Sequence, residues 1–211
     1  MSIVLLGYLL GGGDLLSVKT VLWLLFGFLV HYTGHLDNSI VDYEYDKKDP
    51  SKAHFPLVSG VASLQRALVV NFLGIVLLAP TAIIVLYGYP ASQLTVALSY
   101  GFGVIYNRIN KKSVYKPVPI SLCFSLLLFV SFFTESTLLN PIVGLLFVYI
   151  FITMFFEQGF GGELKDIERD EVNILKKMGA EVKNGYFLPT VKVDVFAIAI
   201  LLGNIVVVFL M

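Results

Sequence analysis

Seven apolar runs, most of them close to the length of a bilayer crossing and the first one shorter, dominate this sequence. A membrane-spanning α-helix needs about 20 consecutive apolar residues. Hydrophobic residues make up 57% of the chain and charged residues only 14%, a composition unlike that of soluble domains. The sequence therefore predicts an integral, multi-pass membrane protein with an all-α, polytopic bundle of about seven transmembrane helices. The runs cover approximately residues 2–13, 19–37, 62–87, 91–107, 117–134, 140–159 and 193–211.

Lysine and arginine residues are concentrated in three of the connections between these runs. The three connections hold fourteen of the fifteen basic residues, and alternation of the helices places them on one side of the membrane. Because cytoplasmic loops carry an excess of positive charge, we predict that this side is cytoplasmic and that the N-terminus lies inside. Only Lys19 falls on the opposite side. The formal net charge is zero, so the composition gives no reason to expect a nucleic-acid partner.

Two of the basic connections, about 43–61 and about 160–192, are long and contain helix-breaking proline and glycine residues. Long connections of this kind often form lids or binding loops. We therefore predict a single transmembrane domain over residues 1–211 that carries these two segments as cap loops on its cytoplasmic side.

Two clusters of carboxylates lie at the ends of apolar runs that meet the basic side. Residues four apart differ by only about 40° around a helix, so each cluster is predicted to form a stripe on one helix face. Ionisable groups near hydrocarbon are costly and are tolerated mainly where they face a cavity or a partner. Two such stripes on one side of the membrane predict a joint site. The stripes comprise Asn38, Asp42 and Asp46 in the first and Glu163, Asp166 and Asp170 in the second.

The residue types in the stripes favour magnesium. Mg²⁺ prefers oxygen ligands and commonly combines one or two carboxylates with phosphate oxygens of a substrate. No histidine and cysteine pattern typical of zinc or iron accompanies the stripes. His31 and His35 are four apart but lack the glutamate of a zincin motif, so packing or cavity lining is the favoured interpretation of this pair. The stripes therefore predict a site for a magnesium-bound diphosphate.

The motifs Asn38-x-x-x-Asp42-x-x-x-Asp46 and Asp166-x-x-x-Asp170 resemble the two signatures of the UbiA superfamily of intramembrane prenyltransferases. The similarity follows the chain in order, from a glycine-rich first helix through a loop ending in residues 56–60 and a tyrosine-lysine loop to the second motif. The resemblance implies Mg²⁺-dependent transfer of a polyprenyl group from an allylic polyprenyl diphosphate to a hydrophobic or polar acceptor, which is small or lipid-like. Diphosphate would be released, and membrane lipid would surround the enzyme.

The resemblance also implies roles for individual residues. Lys52 matches a diphosphate-binding basic residue of the first loop, and Tyr106 and Lys111 match a tyrosine and a lysine of the next loop, at a spacing one residue longer than usual. The implied catalytic residues are Asp42, Asp46, Tyr106, Lys111, Asp166 and Asp170. The implied metal ligands are Asn38, Asp42, Asp46, Glu163, Asp166 and Asp170, for two Mg²⁺ ions. The expected diphosphate-binding residues are Asn38, Lys52, Arg108 and Lys165.

Two positions depart from the pattern of that superfamily. Ser39 stands where an aspartate commonly follows the asparagine, and Phe55 stands where an arginine commonly precedes Pro-Leu. One phosphate-binding arginine is therefore missing, and Lys52 and His54 are the nearby basic residues that could compensate.

Two other classes of function compete with prenyl transfer. Membrane CDP-alcohol phosphotransferases also use aspartates and two metals, but their Asp-Gly-x-x-Ala-Arg signature is missing from the sequence. A non-enzymatic carrier or channel would bind cations near the membrane midplane in broken helices, whereas these carboxylates cluster at one membrane face. Residues 46–52 resemble a loop of the branch that joins polyprenyl phosphate to phosphoribosyl pyrophosphate, but the arginines of that branch are absent. Aromatic quinone precursors and glycerol-phosphate lipids stay open as acceptors.

Overall fold

A computed structural model describes residues 2–110, 112–168 and 172–211. Within these ranges, each of the seven predicted apolar runs corresponds to one helix, so the all-α prediction is confirmed. Two further, short helices lie in the second cap loop. In chain order the helices are α1 (Ser2–Leu10), α2 (Val18–Asp46), α3 (Leu64–Leu86), α4 (Pro90–Ile109), α5 (Pro117–Phe132), α6 (Pro141–Phe156), α7 (Glu163–Lys165), α8 (Ile174–Lys177) and α9 (Val191–Leu210).

Among the described residues, three helical segments are long and apolar enough to cross a membrane: Leu64–Leu86, Pro141–Lys165 and Val191–Leu210. The second of these runs from α6 through a π-helical segment, Glu157–Gly162, into α7. Helix α5 is a shorter apolar helix. Few side chains of the three spans are buried in the isolated chain, as expected where lipid rather than protein covers them. The protein is an integral membrane protein.

Side chains at the helix starts explain where several helices begin. Ser17 accepts a hydrogen bond from the backbone N–H of Thr20 at the start of α2, and Ser63 does the same for α3. Asn140 caps α6, whose first residue is Pro141. Serine and asparagine at this position satisfy backbone donors that have no partner within the helix, and proline is tolerated in the first turn.

The described chain divides into two compact units. The first comprises Met1–Leu94 and Phe129–Ser136, and the second comprises Thr95–Leu128 and Thr137–Met211. The single domain predicted over residues 1–211 stays a prediction.

In the first unit, α2 packs along both α1 and α3. A Cβ atom on Gly74 of α3 would lie only 2.7 Å from the Thr33 side chain of α2, so the missing side chain permits this close approach. Trp23 and Phe26 of α2 are fully buried and meet edge to face.

In the second unit, α6 packs against α9, and Thr153 donates a hydrogen bond to Asn204 across them at 3.2 Å. The second cap loop of this unit contains an antiparallel hairpin of β1 (Glu181–Lys183) and β2 (Tyr186–Leu188), in which Glu181 pairs with Leu188. Asn184 and Gly185 form its turn with φ values of 54° and 78°, the left-handed conformations that a two-residue type I′ turn requires.

A small hydrophobic core holds this cap loop together. Its buried members are Ile167, Leu175 of α8, Ala180 and Val193 of α9. The second cap loop is therefore a folded structure attached to the start of the last helix.

Candidate functional site

The first carboxylate stripe is carried by an unbroken helix. Helix α2 continues to Asp46, so Asn38, Asp42 and Asp46 keep the common face that their spacing predicts. Asp42 and Asp46 are buried, with 6% and 9% of their surface exposed. The Asn38 Nδ2 group donates to Asp42 Oδ2 at 3.2 Å, and Asn38 Oδ1 is buried with no hydrogen-bond partner among the described residues. A buried amide oxygen is normally hydrogen-bonded, so this one fits a cation ligand.

The first cap loop brings Lys52 to this stripe. Asp49 caps a single 3₁₀ turn, Pro50–Lys52, which turns the chain back after the end of α2. Lys52 Nζ consequently lies 2.9 Å from Asp46 Oδ1, and both side chains are largely buried. The same ammonium group lies 5.1 Å from the centre of the Phe55 ring. The structure therefore brings together four of the predicted site residues: Asn38, Asp42, Asp46 and Lys52.

A cavity of about 310 Å³ opens beside Asp46 in the first unit. Its walls are mostly apolar, and one basic side chain from α3 lies among them. This combination suits a ligand with a charged end and a hydrocarbon body. The lining side chains include Tyr43 and Asp46 of α2, Phe55 and Leu57 of the first cap loop, and Arg66 and Ala67 of α3.

The second carboxylate cluster is built differently from the first. The π-helical segment Glu157–Gly162 widens the helix before α7, which ends at Lys165, and Asp166 follows in a non-helical conformation. The expectation of one continuous helix face from Glu163 through Asp166 onward is therefore wrong. The physical reason is a contact with a residue ten positions further along the chain. The Glu163 carbonyl accepts a hydrogen bond from the Asn173 side chain at 2.7 Å, where a continuing helix would use a backbone N–H.

Both carboxylate oxygens of Glu163 face groups of the protein. Oε1 forms an ion pair with Lys116 Nζ at 2.6 Å that lacks hydrogen-bond geometry, and Oε2 accepts a hydrogen bond from the Ile174 N–H at 2.9 Å. Only 1% of the Glu163 surface is exposed. The sequence indicated neither Lys116 nor Asn173, because no motif links them to Glu163 and only the fold brings them close.

The other predicted site residues belong to the second unit. Lys165, the last residue of α7, is exposed, and Asp166, the residue after it, is partly buried. Tyr106 is partly buried and Arg108 is exposed in the last turns of α4. Lys111 and Asp170, also predicted, lie outside the described residues. Within the described part of the chain, no three histidine, cysteine, aspartate or glutamate side chains gather into a group that could hold a metal ion.

Comparison with known families decides the class of this protein. Residues 1–211 match the model of the UbiA prenyltransferase family. The chain belongs to the UbiA prenyltransferase family. No curated protein and no solved structure gave a significant match. Membership makes the protein a prenyltransferase enzyme and implies a polyprenyl diphosphate as substrate. UbiA enzymes are typically magnesium-dependent.

The first stripe of this UbiA enzyme fits a magnesium ion. Its donors are all oxygens, two of them on buried aspartates and one on the amide of Asn38. Mg²⁺ prefers such hard donors and leaves coordination positions for water or phosphate. Glu163 of the second cluster fits less well, because its Oε1 atom is paired with a buried ammonium group and its Oε2 atom accepts a backbone hydrogen bond.

Proposed function

We propose that this UbiA enzyme uses Mg²⁺ to transfer a polyprenyl group from an allylic polyprenyl diphosphate to a small or lipid-like acceptor. The observation that carries the proposal is the arrangement of Asn38, Asp42, Asp46 and Lys52, which places buried oxygen ligands beside the ammonium group of a lysine. The concentration of lysine and arginine in three connections supports a cytoplasmic location for this site.

In the first unit, Asn38, Asp42 and Asp46 would hold magnesium. In the second unit, Asp166 would offer a further carboxylate ligand. Bound Mg²⁺ would neutralise negative charge that develops on the departing diphosphate. Burial of Asp42 and Asp46 keeps bulk water away from their carboxylates. Electrostatic interactions are stronger in such a site than in water.

Lys52 would bind the diphosphate by exchanging partners. Its ammonium group now pairs with Asp46 at 2.9 Å, and its flexible side chain can rotate from that carboxylate to a nearby phosphate oxygen. The exchange would free Asp46 to bind a cation while Lys52 stabilises the leaving group. Phe55 stands where an arginine commonly precedes Pro-Leu, and Lys52 is a lysine of the first cap loop that already pairs with a carboxylate of the stripe.

The reaction breaks the bond between C1 of the prenyl group and the diphosphate oxygen, and the bonding electrons leave with the diphosphate. The acceptor then forms a bond to C1 and loses a proton. The cavity beside Asp46 supports this chemistry, because Tyr43 and Phe55 present aromatic rings to it. Such rings stabilise a nearby cation, and an apolar site limits its capture by water.

Transfer of label from a radioactive allylic diphosphate into a lipid product would test this function. We expect transfer in purified protein with Mg²⁺, loss of transfer with EDTA, and recovery when Mg²⁺ is restored. Replacing Asp42 by asparagine should lower turnover about 10²- to 10³-fold, the usual effect of removing one group that stabilises transition-state charge. Glu44→Gln is the matched control, because Glu44 is exposed on the same helix and should retain activity. An Asp42→Asn variant with full activity would contradict the mechanism.

The acceptor requires a separate experiment. Mass spectrometry of lipids that co-purify with the protein would identify a bound isoprenoid and its length. Assays with an aromatic acid, a glycerol-phosphate lipid and phosphoribosyl pyrophosphate as alternative acceptors would then separate the three acceptor classes.

A further inference from the structure

We propose that Glu163 is a positioning residue rather than a metal ligand. It would act in a buried group of side chains, here called the Glu163 network, that consists of Glu163, Lys116 and Asn173. The network would fix the path of the chain at Asp166. This inference rests on the proposed function only for the role of Asp166, since the network itself is defined by contacts within the second unit.

The charges of the network are buried and matched. Glu163 is 1% exposed and Lys116 is 6% exposed, and their charged atoms lie 2.6 Å apart. A buried charge is tolerated when it is paired and hydrogen-bonded. The Lys116 ammonium supplies the pairing at Oε1, and the Ile174 N–H supplies a hydrogen bond to Oε2 at 2.9 Å. A metal ion would have to displace these donors and would leave a buried ammonium beside a divalent cation, which is electrostatically unfavourable.

Asn173 joins the two short helices of the cap loop. It is fully buried, and its Nδ2 group donates to the Glu163 carbonyl at 2.7 Å. Its Oδ1 atom accepts from the N–H groups of Leu175 and Lys176 at 2.9 and 3.2 Å. One side chain thus interacts with the first residue of α7 and caps the start of α8, which fixes the two helices relative to each other.

Asp166 lies between two anchored residues. Glu163 precedes it in the network, and Ile167 follows it in the hydrophobic core of the cap loop with 4% of its surface exposed. The Asp166 N–H also donates to the Gly162 carbonyl at 3.2 Å. The position of the Asp166 carboxylate therefore depends on contacts that Asp166 does not make itself.

The network is also supported from the start of α5. Lys116 immediately precedes Pro117, and a Cβ atom on Gly159 of the π-helical segment would lie 3.3 Å from the Pro117 ring. The glycine lets the π-helical segment lie close to the residue that follows Lys116. The ion pair and this close packing hold together the start of α5 and the segment that leads to Asp166.

A double-mutant cycle on Glu163 and Lys116 would test the inference by thermal unfolding. Glu163→Gln and Lys116→Met each leave one buried charge without its partner, so each should lower the melting temperature by roughly 6–20 °C. The double variant removes both charges and should recover at least half of that loss. Glu168→Gln is the control, since Glu168 is exposed in the same segment. A double variant that melts no higher than the single variants, or fails to fold, would overturn the network.

Manganese titration followed by electron paramagnetic resonance provides a second measurement that does not depend on activity. Lys116→Met keeps the Glu163 carboxylate but removes its buried partner, so under the positioning role it should weaken Mn²⁺ binding to within about threefold of the loss caused by Glu163→Gln. Wild-type affinity in Lys116→Met together with a loss of tenfold or more in Glu163→Gln would identify Glu163 as a ligand and refute the inference. Both measurements can succeed even if prenyl transfer is never detected, so failure of the proposed function and failure of this inference are distinguishable.

Discussion

Lys52 offers the sharpest test of how the first cap loop contributes to catalysis. Its ammonium group lies 2.9 Å from Asp46, and the two side chains are only 15% and 12% exposed. Two unit charges at that distance attract by about 6 kcal/mol at an effective dielectric constant of about 20. The cost of removing both groups from water offsets several kcal/mol of this attraction.

We therefore expect Lys52 to stabilise the leaving diphosphate by about 2–4 kcal/mol when its ammonium group pairs with the diphosphate instead of Asp46. That range corresponds to a loss of about 30- to 1,000-fold in rate. We predict this loss in kcat/KM for the polyprenyl diphosphate when Lys52 is replaced by methionine. Lys52→Arg keeps the charge but changes its geometry, so we expect it to retain more activity than Lys52→Met.

The assay is transfer of label from an allylic diphosphate at saturating Mg²⁺, with kcat and KM determined separately. Because Lys52 would act on charge that develops in the transition state, kcat should fall as well as kcat/KM. Lys48→Met is the matched control, because Lys48 is exposed in the same loop. If Lys52→Met kept its activity within threefold of the wild type, the assignment of Lys52 to the leaving group would be refuted.

Two further variants test the metal site and the cavity. Replacing Asn38 by leucine removes the buried, unpartnered Oδ1 atom and should raise the Mg²⁺ concentration for half-maximal activity at least about tenfold. Ser39→Ala, at the neighbouring exposed position, should leave that concentration unchanged. Equal Mg²⁺ dependence of the Asn38 variant and the wild type would contradict the ligand assignment. Replacing the buried cavity residue Ala67 by phenylalanine should raise KM for the polyprenyl diphosphate. Leu68→Phe, at a position that is 49% exposed, should leave KM unchanged. An unchanged KM in the Ala67→Phe variant would show that the donor binds elsewhere.

The long helices were predictable because each is encoded locally. A run of apolar residues fixes the helix, and Ser17, Ser63 and Asn140 mark helix starts through hydrogen bonds to the next turn. The hairpin of the second cap loop was missed, although Asn184-Gly185 between two short β-forming segments is a local signal for a type I′ turn. The charged residues around this dipeptide are typical of an irregular loop and obscure the signal.

The first stripe was predictable for the same reason, because Asn38, Asp42 and Asp46 need only an intact helix to share a face. The second cluster was not, since the helix ends at Lys165. What ends it there is the contact of Glu163 with Asn173, a residue on the far side of a turn. The contact with Lys116 depends on an element still further away along the chain. Helical spacing cannot indicate either contact, because both depend on tertiary packing.

The two aspartate motifs therefore reach their positions by different means. The first is preorganised by backbone hydrogen bonds of α2, so its geometry is as stable as the helix. The second follows a helix end, and its geometry depends on buried charges and on the hydrophobic core that contains Ile167 and Leu175. Catalysis requires ligands that are held close to their productive positions. The folded state of the second cap loop should consequently set how well Asp166 performs its role, even though the loop core itself contains no aspartate.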